Sequence, residues 1–139
     1  AGDGQGAWRP VTLADLAGTP DLARRTGPDH ALHARGDFNG DGRADDAVIV
    51  RAGAADRYGV QVCFAQARGP CRPTIVTSGP AAHIATLGIR AVPRAALAAE
   101  LRQPRFVARA DGLDVFAFEA SSTIYTWDGR RMVPRPVAD

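Results

Sequence analysis

Oxygen-bearing side chains recur at alternate positions in one short stretch of the chain, residues 36–45. Counting Asp37 as position 1, they fall at positions 1, 3, 5 and 9, and Gly42 at position 6 allows a sharp turn that lets the main-chain carbonyl of Arg43 face inward. Ca²⁺ takes about six to eight hard oxygen ligands at roughly 2.3–2.6 Å. The spacing therefore predicts a calcium loop with the ligands Asp37, Asn39, Asp41, Asp45 and the carbonyl of Arg43.

The end of this stretch departs from the EF-hand pattern, which requires a bidentate Glu at position 12. Here that position is Val48, inside the apolar run Ala47–Val50, so we expect the loop to lead into a strand and Asp45 to supply the closing carboxylate. The alternative is a metal-free turn, since Asp and Asn beside Gly favour turns by themselves. Three Asp held together without a cation would repel one another, which favours the calcium loop. Asp46 is either an outer-shell partner of the ion or a solvated strand residue, and we expect the latter.

The segment GDFNGDGRADDAVIV resembles the calcium loops of FG-GAP and VCBS repeats, in which the pattern DxNxDGxxD lies between strands. The resemblance covers about 15 residues and implies Ca²⁺ on the five residues named above. Together with the later segment from Asp114 to Gly129, the single loop also resembles small periplasmic proteins and lipoproteins of Gram-negative bacteria. Some calcium-loop proteins of that type are immunity proteins that inhibit peptidoglycan-degrading effectors of bacteria-killing secretion systems. This resemblance implies a periplasmic inhibitor of a partner hydrolase.

Cys63 and Cys71 are the only cysteines, and the turn Arg68-Gly69-Pro70 precedes the second. A metal or redox pair usually has a tighter spacing, such as CxxC. The spacing favours a disulfide that closes a small loop, with two unpaired thiols as the alternative. A disulfide indicates the periplasm, the cell envelope or secretion. The Gly-rich start at Ala1 is what we expect of a mature chain or of one taken from behind a lipid anchor.

Length and composition predict one globular domain. The 139 residues are 45% hydrophobic and 23% charged, which excludes a disordered, collagen-like or coiled-coil chain. No apolar run approaches the roughly 18 residues of a membrane span. All 17 basic residues are Arg, but the net charge of +2 is too small and too scattered to indicate a nucleic-acid partner. We expect a tether over residues 1–10 and a single domain over residues 11–139.

Strand patterns dominate the domain. Weakly helical pieces over residues 11–35 precede strand patterns at Ala47–Val50, Tyr58–Phe64, Thr74–Thr77 and Ile84–Val92. Pro93 opens a predicted helix that carries Leu97 and Leu101 on one face and ends before Pro104. Strands at Leu113–Glu119 and Thr123–Trp127 follow, and Asp128-Gly129 is a strong hairpin signal before Arg131–Val133. These patterns predict a β-rich α+β fold, an antiparallel sheet or small sandwich with one or two short helices and the calcium loop between strands.

The sequence carries no recognisable catalytic motif, so we expect a protein that is not an enzyme. Two non-catalytic functions remain: a calcium-stabilised protein that binds and inhibits a partner, and a structural or adhesion-type module of the cell envelope. A partner surface is predicted around the Asp128-Gly129 hairpin, because Trp, Tyr and Arg dominate interface energies. Its residues are Tyr125, Trp127, Arg130 and Arg131. The alternation with Thr126 leaves open that Tyr125 and Trp127 instead face the core.

Overall fold

The protein folds into two antiparallel sheets with one short α-helix, in a computed structural model that describes residues 8–12, 32–52, 56–117 and 121–137. The strands of these residues are β1 (Trp8–Pro10), β2 (His33–Gly36), β3 (Asp45–Ala52), β4 (Arg57–Phe64), β5 (Arg72–Pro80), β6 (Leu87–Val92), β7 (Gly112–Ala117), β8 (Ser121–Trp127) and β9 (Met132–Pro136). The helix α1 (Leu97–Glu100) follows a 3-10 turn at Arg94–Ala96, and a second 3-10 turn spans Ala81–Thr86. The predicted β-rich α+β sandwich is confirmed.

The first sheet is built around β3. On one side β3 pairs with β4, which pairs in turn with β5. On its other side β3 pairs with two short strands, β2 alongside Asp45–Val48 and β1 alongside Val50–Ala52. The segment between β2 and β3, residues 37–44, is the predicted calcium loop, so the loop does lie between strands.

The second sheet is a meander of β6, β7, β8 and β9 in chain order. The predicted hairpin at Asp128-Gly129 is confirmed: Asp128 Oδ1 accepts hydrogen bonds from the backbone N–H groups of Arg130 (2.8 Å) and Arg131 (2.9 Å). Gly129 has a φ of +106°, which a residue with a Cβ rarely adopts. The turn therefore fixes the position of both arginines at the end of the sheet.

The core lies between the two sheets. Alternate residues of β3 and β4 point into it, and Ile49, Val60 and Val62 have no exposed surface. From the second sheet, Ile89 and Leu113 join the same cluster. Complete burial of one such side chain contributes about 1.5–3 kcal/mol, so this cluster is the main source of stability.

One buried carboxylate ties the second sheet to α1. Asp114 is buried and accepts hydrogen bonds from Arg90 Nε (2.8 Å) and from the Ser122 hydroxyl. Arg90 also donates to Glu100 of α1 at 2.7 Å. Because its charge is paired and hydrogen-bonded, this group is a structural element of the fold.

The structure corrects three local expectations. Trp8–Pro10 forms β1, so the predicted tether over residues 1–10 is wrong for its last three residues, because these pair with β3. The strand expected from Ile84 begins only at Leu87, since a 3-10 turn occupies the residues before it. The helix after Pro93 is shorter than its sequence pattern, although Leu97 and Leu101 are both buried as predicted. Residues 1–7 and most of the helical pieces expected over 11–35 lie outside the described residues.

Candidate calcium site and the adjoining cleft

The first predicted ligand, Asp37, organises the turn of the loop. Its carboxylate accepts hydrogen bonds from the backbone N–H groups of Asp41 (Oδ1, 3.1 Å) and Gly42 (Oδ2, 2.8 Å). These bonds wrap the chain around the Asp37 carboxylate, and left-handed glycines at positions 40 and 42 (φ +73° and +84°) permit the turn. Gly40 is required for a second reason, since a Cβ there would lie 2.6 Å from the carbonyl oxygen of Arg109.

The side-chain oxygen of Asn39, the second predicted ligand, receives no hydrogen bond. Its Oδ1 is buried and has no hydrogen-bond partner in the described structure. An unsatisfied buried polar group costs about 1–3 kcal/mol. A cation bound within the loop would satisfy this oxygen, which is the first feature that fits a metal.

Asp41 lies at the surface of the loop, with 29% of its side chain exposed. Its Oδ1 accepts a hydrogen bond from the backbone N–H of Arg43 at 2.9 Å, and this bond lowers the pKa of Asp41. The guanidinium of Arg43 lies 3.5 Å from Asp41 Oδ2. The Arg43 side chain therefore pairs with the carboxylate at the surface, while only its main-chain carbonyl is needed for an ion.

Asp45, at the start of β3, is completely buried. Its Oδ2 accepts a hydrogen bond from the N–H of Phe38 (2.9 Å) and its Oδ1 from the N–H of Ala65 (2.8 Å). Burial raises the pKa of Asp45, and the nearby charges of Asp41 and Asp37 raise it further. A cation bound near Asp45 would offset this repulsion and so stabilise the charged form of the buried carboxylate.

Sequence reasoning missed Asp111, which anchors the loop to the second sheet. Asp111 Oδ2 accepts a hydrogen bond from the N–H of Asp37 (3.0 Å), and the N–H of Asp111 donates to the carbonyl of Asp37 (3.0 Å). Its other oxygen accepts from the N–H of Arg94 at 2.8 Å. The only local signal was Asp111-Gly112, which indicates a turn and not its partner 74 residues away.

The predicted ligands have the residue types and spacing of a calcium loop. Their positions in the structure differ from those of a formed metal site. No three His, Cys, Asp or Glu side chains converge as a metal-binding group within the described ranges. Asn39 and the Arg43 carbonyl are not of those types, but Asp37, Asp41 and Asp45 are, and the structure does not bring these three carboxylates together as such a group. Both oxygens of Asp45 are directed at backbone N–H groups. Since a carboxylate oxygen has a second lone pair, these bonds leave Asp45 able to face an ion as well.

The predicted pairing of Cys63 with Cys71 is confirmed. The two residues are bonded with their Cα atoms 5.3 Å apart, and the loop that they close turns at Gly69 (φ +80°). This loop begins beside Ala65, whose N–H donates to Asp45. The disulfide loop and the predicted calcium loop are therefore directly connected.

An open cleft of about 640 Å³ lies beside the predicted calcium loop, between the ends of the two sheets. This volume is within the range of about 300–1,000 Å³ that is typical of ligand sites. Trp127 and Phe64 form an aromatic pair in its wall, with ring centroids 5.5 Å apart. The polar side chains in its lining include Asn39, Arg72, Arg130 and Arg131.

The cleft brings together three of the four residues predicted to contact a partner, and excludes the fourth. Trp127 is half-buried, and Arg130 and Arg131 are exposed. Tyr125 is only 9% exposed and belongs to the core cluster, which fits the alternative that this residue faces the core. Tyr125 instead lines a separate cavity of about 400 Å³ with Tyr58 and His83.

None of the helices in the described residues is long and apolar enough to cross a membrane. In comparisons with known proteins, the chain matches no family model, no curated protein and no solved structure.

Proposed function

We propose that this chain is a non-catalytic, calcium-binding protein of the periplasm or cell envelope that binds and inhibits a partner protein, a peptidoglycan-degrading effector. The observation that carries the proposal is the cleft, where a predicted calcium ligand, Asn39, meets the predicted contact residues Trp127, Arg130 and Arg131. The loop that would hold the ion thus forms part of the surface that would hold the partner.

Calcium has a structural role in this proposal. The ligands are the side chains of Asp37, Asn39, Asp41 and Asp45 and the carbonyl of Arg43. Bound there, the ion offsets the charge of three carboxylates and satisfies Asn39 Oδ1. The loop contacts the second sheet through Asp111 and the disulfide loop through Asp45. An ion that fixes the loop therefore also fixes one wall of the cleft.

A rigid surface of this kind suits an inhibitor. Binding costs less when the contact residues are already ordered, because little conformational entropy is lost. The Asp128 turn fixes the backbone of Arg130 and Arg131, and Phe64 packs against Trp127. Trp and Arg are the residue types that most often dominate interface energies.

The disulfide supports the proposed compartment. The Cys63–Cys71 bond is stable in an oxidising environment such as the periplasm or the cell exterior. A peptidoglycan hydrolase delivered by a rival cell acts in the periplasm, so inhibitor and target would meet there.

The test pairs this protein with the product of a neighbouring gene that encodes a cell-wall hydrolase. We expect a one-to-one complex on size-exclusion chromatography and loss of peptidoglycan lysis. Trp127→Ala should weaken inhibition, whereas Val107→Ala, which removes an 82% exposed apolar side chain outside the cleft, should not. Melting curves of both variants establish that they are folded. Absence of complex and of inhibition at micromolar concentration, with binding to peptidoglycan itself, would instead support the structural or adhesion-type module.

A further inference from the structure

The charges around the cleft are of one sign. None of the described residues that line it is Asp or Glu, while three are arginines: Arg72 on β5, and Arg130 and Arg131 after the hairpin turn. Four arginines elsewhere in the described chain have a carboxylate within 4.0 Å: Arg35, Arg43, Arg51 and Arg90.

The three cleft arginines have no such partner among the described carboxylates. The nearest acid in sequence, Asp128, uses its Oδ1 to accept backbone N–H groups in the hairpin turn. None of these three guanidinium groups forms an ion pair with a described carboxylate, although the charge of Arg131 acts on the nearby Asp128.

Part of the cleft lining is apolar. Phe64, Trp127 and Met132 lie in its wall, and Ile75 is a large apolar side chain that is 37% exposed. The register of β4 with β5 shifts here, where Val60 pairs with Thr77 and Gln61 with Ile75. This bulge in β5 changes the direction of neighbouring side chains, as bulges at sheet edges commonly do.

The edge strands next to the cleft are poorly suited to pairing with another strand. The bulge interrupts β5, which also contains Pro73 and Pro80. In β9, Pro134 and Pro136 occupy alternate positions. The N–H of Val137 donates to the carbonyl of Ser122 in β8, so the backbone nitrogens of positions 134 and 136 point away from β8, towards the open edge of the sheet. Proline and bulges at edges prevent strand addition. A ligand in the cleft would therefore be recognised by side chains.

We infer that the cleft binds an acidic loop of the partner protein, whose Asp or Glu side chains pair with Arg72, Arg130 and Arg131 while an apolar side chain packs on Trp127. This inference rests on the proposed function, because it takes the cleft as the partner surface. A second copy of this chain is a poor occupant. A symmetric contact would bring the same three guanidinium groups face to face.

A pair of synthetic peptides tests the inference directly. One is a short peptide rich in Asp, Glu and Leu, and the other has Lys at every acidic position. Binding is followed by the fluorescence of Trp127 in a Trp8→Phe background. We expect the acidic peptide to bind, with an affinity that falls as salt is added, and the basic peptide not to bind. Equal binding of both peptides, or no binding of the acidic one at millimolar concentration, would overturn the inference.

Matched triple variants locate the binding. The triple variant Arg72→Ala, Arg130→Ala, Arg131→Ala should bind the acidic peptide about three- to hundredfold more weakly, since each exposed ion pair contributes about 1.4- to fivefold. The control combines the substitution to Ala of three exposed arginines outside the cleft: Arg57, Arg102 and Arg105. Equal losses in both triple variants would mean that binding depends on net charge and not on the cleft.

The partner hydrolase separates this inference from the proposed function. If the cleft variant inhibits the hydrolase as well as the wild type does, the acidic-loop inference is wrong and the proposed function stands. If the wild type does not inhibit, the proposed function fails whatever the peptides show.

Discussion

Replacement of Asn39 by Ala should have opposite effects on stability with and without calcium. In the metal-free protein Asn39 Oδ1 is buried without a hydrogen-bond donor, so removal of the amide removes an unfavourable group. In the calcium-bound protein the same oxygen is a ligand, so its removal weakens the site. A purely structural Asn39 would not show this reversal.

The expected magnitudes follow from the buried oxygen and from linkage. Relief of an unsatisfied polar group adds up to about 1 kcal/mol to the free energy of unfolding in EDTA, part of the gain being offset by the small space left behind. At calcium 100 times above Kd, the wild type gains about 2.7 kcal/mol from the metal. If loss of one ligand raises Kd tenfold, the gain in Asn39→Ala falls to about 1.4 kcal/mol.

Urea unfolding of metal-stripped protein, in EDTA and in calcium, measures both effects. Gln103→Ala is the matched control, since it removes an exposed amide that is remote from the loop in sequence. This control should keep the full calcium gain. Two results would refute a ligand role for Asn39. One is a loss of stability of Asn39→Ala in EDTA that is as large as its loss in calcium. The other is a gain from calcium that is as large as that of the wild type.

Three further predictions concern the groups that hold the loops. Asp111→Ala should lower the free energy of unfolding in urea by about 1–3 kcal/mol, because two N–H groups lose their acceptor. Asp46→Ala, which removes an exposed carboxylate, is the control and should lower it less. An equal loss in both variants would contradict the anchoring role of Asp111. Reduction of the Cys63–Cys71 disulfide should lower the free energy of unfolding by about 2.5 kcal/mol, because the unfolded chain gains loop entropy. Urea unfolding with and without reductant measures this, and an unchanged urea midpoint would contradict it. The N–H groups of Arg131 and Arg130 hold the pKa of Asp128 below 3.8. The stability gained from this turn is therefore present above that pH and lost as pH falls through the lower folded pKa. An NMR titration midpoint of the Asp128 carboxyl at or above 3.8 would refute this.

Local sequence patterns predicted the elements whose structure depends on near neighbours. The alternation in β4, the apolar run in β3 and the Asp128-Gly129 turn each specify their own conformation within a few residues. The Cys63–Cys71 bond is of the same kind, since its two residues lie eight positions apart. The spacing of the predicted calcium loop likewise indicated its turn, which the structure has at Gly40 and Gly42.

Other features depend on contacts between distant parts of the chain, which no local pattern encodes. Asp111 reaches Asp37 across 74 residues, and β1 forms because Trp8–Pro10 finds the free edge of β3. The burial of Tyr125 has a similar cause. Both faces of β8 are covered near its end, so Ile124, Tyr125 and Thr126 are all buried and alternation could not assign an exposed face. The cleft arises from the packing of two sheets and was not predicted.

The number of calcium ions bound per chain tests the central claim most directly. Native mass spectrometry of metal-stripped protein, before and after addition of calcium, should show one ion bound per chain. Asp41→Ala, which changes an exposed position of the loop, should bind none while its disulfide remains intact. A wild-type chain that stays metal-free in excess calcium, or an Asp41→Ala chain that binds the ion equally well, would contradict the account.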